Sequence, residues 1–108
     1  MTAATAEDWR TIDVSGLAPN TCHYAAFEKR SIIVVRDEDG MLYAYDGMCS
    51  HALLPLDGAR IRRGTIMCPH HGARFDCATG GALGPPASAG LTALELKEDG
   101  NRVQVLIS

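Results

Sequence analysis

Residues 49–72 read CSHALLPLDGARIRRGTIMCPHHG, and this stretch carries most of the chemistry in the chain. It opens with Cys49-Ser50-His51 and ends with Cys68-Pro69-His70-His71-Gly72, and sixteen residues separate His51 from Cys68. Each motif offers one thiolate and one imidazole, so two neighbouring loops could supply a Cys2His2 set. Such a set suits zinc or iron with sulfide, and the residue types alone leave that choice open.

The residues on either side of this stretch predict short β-strands. Gly and Pro divide the chain, and no apolar segment keeps a helical period. Ile32 to Val35 form a β-branched run that suits a buried strand, and Asp-Gly pairs at Asp39 and Asp99 predict hairpin turns. Strands are predicted at Trp9 to Val14, Cys22 to Phe27, Ser31 to Arg36, Met41 to Asp46, Ala59 to Arg62, Thr65 to Cys68, Arg74 to Cys77, and along the alternating segments around Leu94 to Lys97 and Arg102 to Ile107.

Length and charge narrow the class of protein further. The chain has 108 residues, which indicates one domain and excludes a large multi-domain enzyme. Ten Lys and Arg against thirteen Asp and Glu give no general attraction to nucleic acid or anionic lipid, and the C-x2-C and H-x3-H pattern of nucleic-acid-binding zinc fingers does not occur. Without a long apolar run or a signal peptide, we expect a cytoplasmic protein with no membrane partner.

The C-x-H motif, the spacer and the C-x-x-H-G motif together resemble the signature of the Rieske family. The resemblance extends to the flanking strands and to Pro85-Pro86, which match the family's base and its proline-bearing loop. It implies an all-β fold: a single Rieske domain over 1–108, with an antiparallel sandwich or barrel base from residues 8–46 and 87–108. A cluster-binding insertion would cover residues 47–86, and we expect it to have only a small hydrophobic core of its own.

The same resemblance implies one 2Fe-2S cluster, with Cys49 and Cys68 on one iron and His51 and His71 on the other. High-potential members carry a disulfide where this chain has Leu54 and His70. They also carry a serine and a tyrosine where this chain has Ala73 and Phe75. Because hydroxyl donors to sulfur favour the reduced cluster, their absence predicts a potential near the low end of the Rieske range, roughly −150 to +300 mV.

Among Rieske proteins the chain is most similar to the small ferredoxins of aromatic ring-hydroxylating dioxygenase systems. That similarity implies a non-catalytic one-electron carrier, which links an NAD(P)H-dependent flavoprotein reductase to a terminal oxygenase. A monomer is expected. The alternatives are a structural Cys2His2 zinc module and the Rieske domain of another oxygenase or reductase system.

The sequence also supports predictions for the two remaining cysteines and for His70. Cys22 and Cys77 are predicted to be buried thiols that take no part in the cluster. His70 is expected to lie beside the cluster, partly exposed, without binding iron.

Overall fold

The computed structural model describes residues 7–28, 30–49, 54–70, 72–84 and 89–107. These residues form strands and no helix, so none of them could span a membrane as a helix. The strands are β1 (Trp9–Asp13), β2 (Thr21–Ala26), β3 (Ser31–Arg36), β4 (Leu42–Asp46), β5 (Arg60–Arg62), β6 (Thr65–Met67), β7 (Arg74–Asp76), β8 (Leu96–Asp99) and β9 (Arg102–Leu106). All pairings between them are antiparallel, which confirms the predicted all-β fold.

The strands make three sheets of three strands each, in the orders β1-β9-β8, β2-β3-β4 and β5-β6-β7. The middle sheet explains the β-branched run, because both of its faces are covered. Ile32 and Val34 pack toward the first sheet, in a core with Val103 and Val105. Ile33 and Val35 face the other way, into a second core that the third sheet shares, and all four side chains of the run are fully buried.

The segment between residues 47 and 86 has more apolar support than expected. Its buried side chains include Leu56, Ile66 and Phe75, all with no exposed surface. They pack with Ile33 and Tyr45 of the middle sheet in one continuous core. The segment completes its core with the outward face of β3 and β4, a shared core that the sequence analysis did not predict. The domain boundaries at 47 and 86 stay a prediction.

Hairpin turns occur at both predicted Asp-Gly pairs. Between β3 and β4, one carboxylate oxygen of Asp37 accepts hydrogen bonds from the backbone N–H groups of Asp39 and Met41, each at 2.9 Å. Gly40 completes this turn with a φ of 85°, which a residue with a side chain rarely adopts. The strand Ser31–Arg36 is observed as predicted, and the other strands differ from the predicted spans by one or two residues at their ends.

Candidate metal centre

Two buried cysteines stand at the start of the two motif-bearing loops. Cys49 follows β4, Cys68 follows β6 directly, and the exposed fractions of their side chains are 0% and 1%. Both belong to the core shared by the middle and third sheets. Two thiols in one dry core are suited to bind a soft metal centre, because a metal would supply the charge that stabilises their thiolates.

Each of the two loops is closed by the same kind of backbone hydrogen bond. The N–H of Cys49 donates to the carbonyl of Leu54 at 2.7 Å, and the N–H of Cys68 donates to the carbonyl of Ala73 at 2.8 Å. In each case the acceptor lies five residues after the cysteine. The same backbone closure therefore brackets both motifs.

Gly47 lets the first loop lie close against β3. A Cβ atom at this position would sit 2.6 Å from the Ser31 hydroxyl oxygen and 3.0 Å from the Ile32 backbone nitrogen. The carbonyl of Gly47 accepts a hydrogen bond from the N–H of Leu56 at 2.7 Å, and this bond joins the two ends of the segment that contains the first motif. A larger residue at position 47 would displace the segment that positions Cys49.

His70 connects the two loops. Its Nε2 atom is 3.0 Å from the carbonyl oxygen of Pro55, fifteen residues earlier in the chain. The side chain is exposed, as expected, and in this geometry the Nε2–H donates to the carbonyl. This contact joins the loops at the place where the resemblance puts a disulfide in high-potential Rieske proteins. No local pattern in the sequence indicates this contact.

The predicted ligands His51 and His71 lie outside the described residues, as do Pro85 and Pro86 of the predicted proline-bearing loop. Within the described part of the chain, no three His, Cys, Asp or Glu side chains converge into a metal-binding group. A complete centre on Cys49 and Cys68 therefore needs further ligands from the undescribed positions. The donor set of two thiolates with His51 and His71 matches that of a histidine-ligated 2Fe-2S cluster, and these four roles stay a prediction.

The other two cysteines are protonated thiols. Cys77 is buried, and burial together with the nearby Asp37 and Asp76 carboxylates raises the pKa of its thiol to about 11. Cys22 is only half-buried, and burial followed by the charge of Asp57 raises its pKa as well. Both cysteines are free thiols, as expected. The expected burial is confirmed for Cys77 and only partly met for Cys22.

A buried tyrosine ties the motif-bearing segment to the base. The Tyr45 hydroxyl in β4 donates to the carbonyl of Cys77 at 2.6 Å, and burial raises the pKa of this phenol strongly. A Cβ atom at position 80 would lie 2.7 Å from the Tyr45 ring, so Gly80 provides the space for this contact. The partners are 32 residues apart in sequence, which is why no motif indicated the bond.

Comparison with known proteins gives a consistent result. The Rieske [2Fe-2S] domain model matches residues 9–95. The chain is 30% identical over 76 residues to the ferredoxin component of a naphthalene 1,2-dioxygenase system from Pseudomonas aeruginosa, covering 70% of this chain and 73% of that protein. A ferredoxin component of naphthalene 1,2-dioxygenase/salicylate 5-hydroxylase systems from a Ralstonia species is 29% identical over 103 residues, covering 95% and 90%.

A solved structure agrees with these relatives. The ferredoxin of carbazole 1,9a-dioxygenase from Nocardioides aromaticivorans IC177 superimposes with a TM-score of 0.80 at 28% identity, covering 96% of this chain and 100% of that one. The match of the domain model over most of the chain identifies the cofactor as well as the fold. The chain belongs to the Rieske [2Fe-2S] domain family and holds one 2Fe-2S cluster.

Proposed function

We propose that this protein is a Rieske ferredoxin that carries single electrons from an NAD(P)H-dependent flavoprotein reductase to a terminal aromatic ring-hydroxylating oxygenase. The observation that carries the proposal is the pair of matched cysteine loops in a domain that aligns along nearly its whole length with free-standing ferredoxins of dioxygenase systems. The protein itself performs no substrate chemistry in this role. The family assignment, with its iron-sulfur cluster, replaces the alternative of a structural zinc module.

The ligands in this proposal are Cys49, Cys68, His51 and His71. When bound, the cluster accepts one electron and later releases it. The chain's own residues hold the two thiolates in a dry core and close each loop through a backbone hydrogen bond. Burial of the thiolates lowers the dielectric around the cluster, and this is one of the ways in which a protein sets the potential of an iron-sulfur centre.

The potential is expected to be low for a Rieske protein. Ala73 and Phe75 occupy the positions where hydroxyl-bearing residues would donate to sulfur, and both are fully buried. Fewer donors stabilise the reduced cluster less, which matches a carrier that accepts electrons from a flavin. We further propose that the protein is a cytoplasmic monomer. Its electron acceptor would dock near the ligand loops, close to Leu53, which follows His51 by two residues, and to Pro86 of the proline-bearing loop.

Reconstitution tests this function. The purified protein should contain two irons and two acid-labile sulfides per chain, because the proposed cluster has that composition, and show the low average g-value of a histidine-ligated cluster after reduction. It should then be combined with candidate reductases and terminal oxygenases, and NAD(P)H-dependent oxygen uptake measured. Uptake that depends on this protein supports the proposal. A cluster that no reductase reduces, or that no oxygenase oxidises, would refute the carrier role.

A further inference from the structure

The outer face of the β5-β6-β7 sheet is basic. Ile61, Ile66 and Phe75 point into the core, so the residues that alternate with them point outward. The pairing register places Arg60 opposite Met67, and Met67 opposite Arg74, in one row across the three strands.

A second row adds to the same surface. Arg62 pairs with Thr65, and Arg63 in the following turn adopts a φ of 50°. Together these side chains line a depression of about 310 Å³, which we call the arginine face; it consists of Arg60, Arg62, Arg63, Thr65, Met67 and Arg74. Met67 is 38% exposed, which is high for a large apolar residue and gives the face an apolar centre.

The positive charge of this face exceeds the negative charge beside it, because four arginines share the face with the single carboxylate of Asp76. Among the described residues, no carboxylate lies within ion-pair distance of its four guanidinium groups. The nearest carboxylate by register is Asp76, opposite Thr65, and its Oδ1 atom accepts hydrogen bonds from the backbone N–H groups of Ala78 and Thr79. Like charges that lack ion-pair partners repel one another and destabilise the unbound protein. An external anion or an acidic surface would reduce this repulsion.

The charge is also distributed unequally between the parts of the chain. Residues 47–86 contain four arginines and two carboxylates, whereas the remainder contains six cations and eleven carboxylates. A net-acidic protein is thereby basic on the side that carries the ligand loops. Such an asymmetry orients a protein as it approaches an acidic partner and raises the rate of productive encounter.

The face also lies beside the cluster ligands. Met67, at its centre, is bonded to Cys68, and Arg74 follows Ala73, which closes the second ligand loop. We propose that the arginine face is an electrostatic docking surface for an acidic patch on the terminal oxygenase, with Met67 as its apolar contact. This inference rests on the proposed function, and it places the acceptor over the second ligand loop and the flank of the third sheet. One electron passes from the reduced cluster to an oxidised metal centre of the oxygenase, with no bond made or broken and no proton transferred.

Two sets of charge-neutralising variants test this proposal. The first combines Arg60→Gln, Arg62→Gln and Arg74→Gln. The control combines Arg10→Gln, Lys97→Gln and Arg102→Gln on the β1-β9-β8 sheet, and it removes the same amount of charge. Visible absorption should match that of the wild type in both sets, since these side chains are at least partly exposed. The melting temperature should be unchanged in the arginine-face set and slightly lower in the control, which loses the Arg10–Asp8 ion pair and the contact of Lys97 with the Trp9 ring.

Pre-reduced proteins are then mixed in a stopped-flow instrument with the oxygenase that gives the highest uptake in the reconstitution assay. Below saturation and at low salt, the arginine-face variant should react about tenfold more slowly than wild type, with a weaker salt dependence, and the control within about twofold of wild type. Oxidation by anionic ferricyanide should also be slowed, and oxidation by cationic hexaammineruthenium(III) should not.

Equal rates for the arginine-face variant and the control would overturn the proposal, as would a defect confined to the step with the reductase. Wild-type protein that transfers electrons to no oxygenase would instead refute the proposed function. In that case the two small oxidants still report whether the arginine face controls access of anions to the cluster.

Discussion

The base and the cluster-bearing segment of this domain are stabilised in different ways. The base uses strands of four to six residues, and its core consists of aliphatic side chains such as Ile12, Val34 and Val103. The segment between residues 47 and 86 uses strands of three residues, with loops closed by backbone hydrogen bonds around Cys49 and Cys68. The base is therefore an ordinary apolar scaffold, whereas the segment packs against that scaffold and is expected to depend on the metal as well.

The difference shows how a small domain can contain both a rigid support and a site for an iron-sulfur cluster. The middle sheet belongs to both cores, because alternate residues of β3 face opposite sides. Loss of the metal should thus loosen the ligand loops without removing the apolar contacts of Ile66 and Phe75. Variants that act on one region and spare the other can test this division.

The largest effect is expected when a proposed ligand is removed. Cys68→Ala should abolish the visible absorption of the cluster, because the remaining ligands cannot hold both irons. Cys77→Ala is a matched control, since its side chain is equally buried at 1% and the proposed ligand set excludes it. Iron and sulfide analysis measures the loss, and His51→Ala and His71→Ala should behave like Cys68→Ala.

Hydrogen exchange on the metal-free Cys68→Ala protein then tests the division between the regions. Amides of β3 and β9 should stay protected because their core lies in the base. Amides of residues 47–49, 54, 56, 68, 70, 72 and 73 should lose protection. Global unfolding of this variant would show that the base depends on the metal as much as the loops do.

Much of the base could be predicted because its signals are local. The four β-branched residues of β3 and the Asp-Gly turns can each be recognised from a few consecutive residues. The proposed ligand cysteines were identified by their spacing to nearby histidines, and this assignment stays a prediction. The contacts of Tyr45 with Cys77 and of His70 with Pro55 join residues 32 and 15 positions apart, and neither follows a periodic pattern. The core shared between regions was missed for the same reason, since it arises only when separate sheets pack.

A second prediction concerns the hydrogen bond that joins the two regions. Tyr45→Phe removes the donor to the Cys77 carbonyl and leaves that buried acceptor without its partner. The free energy of unfolding should fall by about 1–3 kcal/mol. Denaturant titration measures the change, and Tyr24→Phe serves as the control because its hydroxyl has no hydrogen-bond partner among the described residues. Equal losses for the two variants would mean that the Tyr45 bond contributes nothing of its own.

Alkaline pH should weaken the same junction. The pKa of the Cys77 thiol is raised to about 11 in the folded protein, chiefly by burial, whereas the pKa of an unfolded thiol is about 8.5. Between these values the unfolded chain has lost a proton that the folded chain retains, so stability decreases as pH rises through this window. Unfolding curves at pH 8 to 11 measure the slope, and Cys77→Ala should make it shallower. If the pH dependence of stability were the same in Cys77→Ala, groups other than Cys77 would be responsible for the loss of stability at alkaline pH.

A smaller effect is expected on the cluster potential. Ala73→Ser combined with Phe75→Tyr introduces hydroxyl groups at positions where both native side chains are fully buried. A hydrogen bond that is about 1.4 kcal/mol stronger in the reduced state raises a one-electron midpoint by about 59 mV. Protein-film voltammetry measures the shift, with Ala78→Ser, an exposed position beyond β7, as the control. An unchanged midpoint with an intact cluster would show that these positions do not provide the missing donors.

The smallest effect concerns the exposed contact between the two ligand loops. His70→Ala removes the hydrogen bond to the Pro55 carbonyl, and because solvent can replace the lost donor, stability should change by about 0.5–1 kcal/mol at most. The cluster should still assemble with wild-type iron content, since the proposed ligand is the neighbouring His71. Its release to a chelator should be faster, because the two loops would separate more readily, and His70→Gln should restore part of the lost lifetime by supplying another donor. If His70→Ala lost iron as completely as His71→Ala, His70 would be a ligand, and the proposed division between binding iron and joining the loops would be wrong.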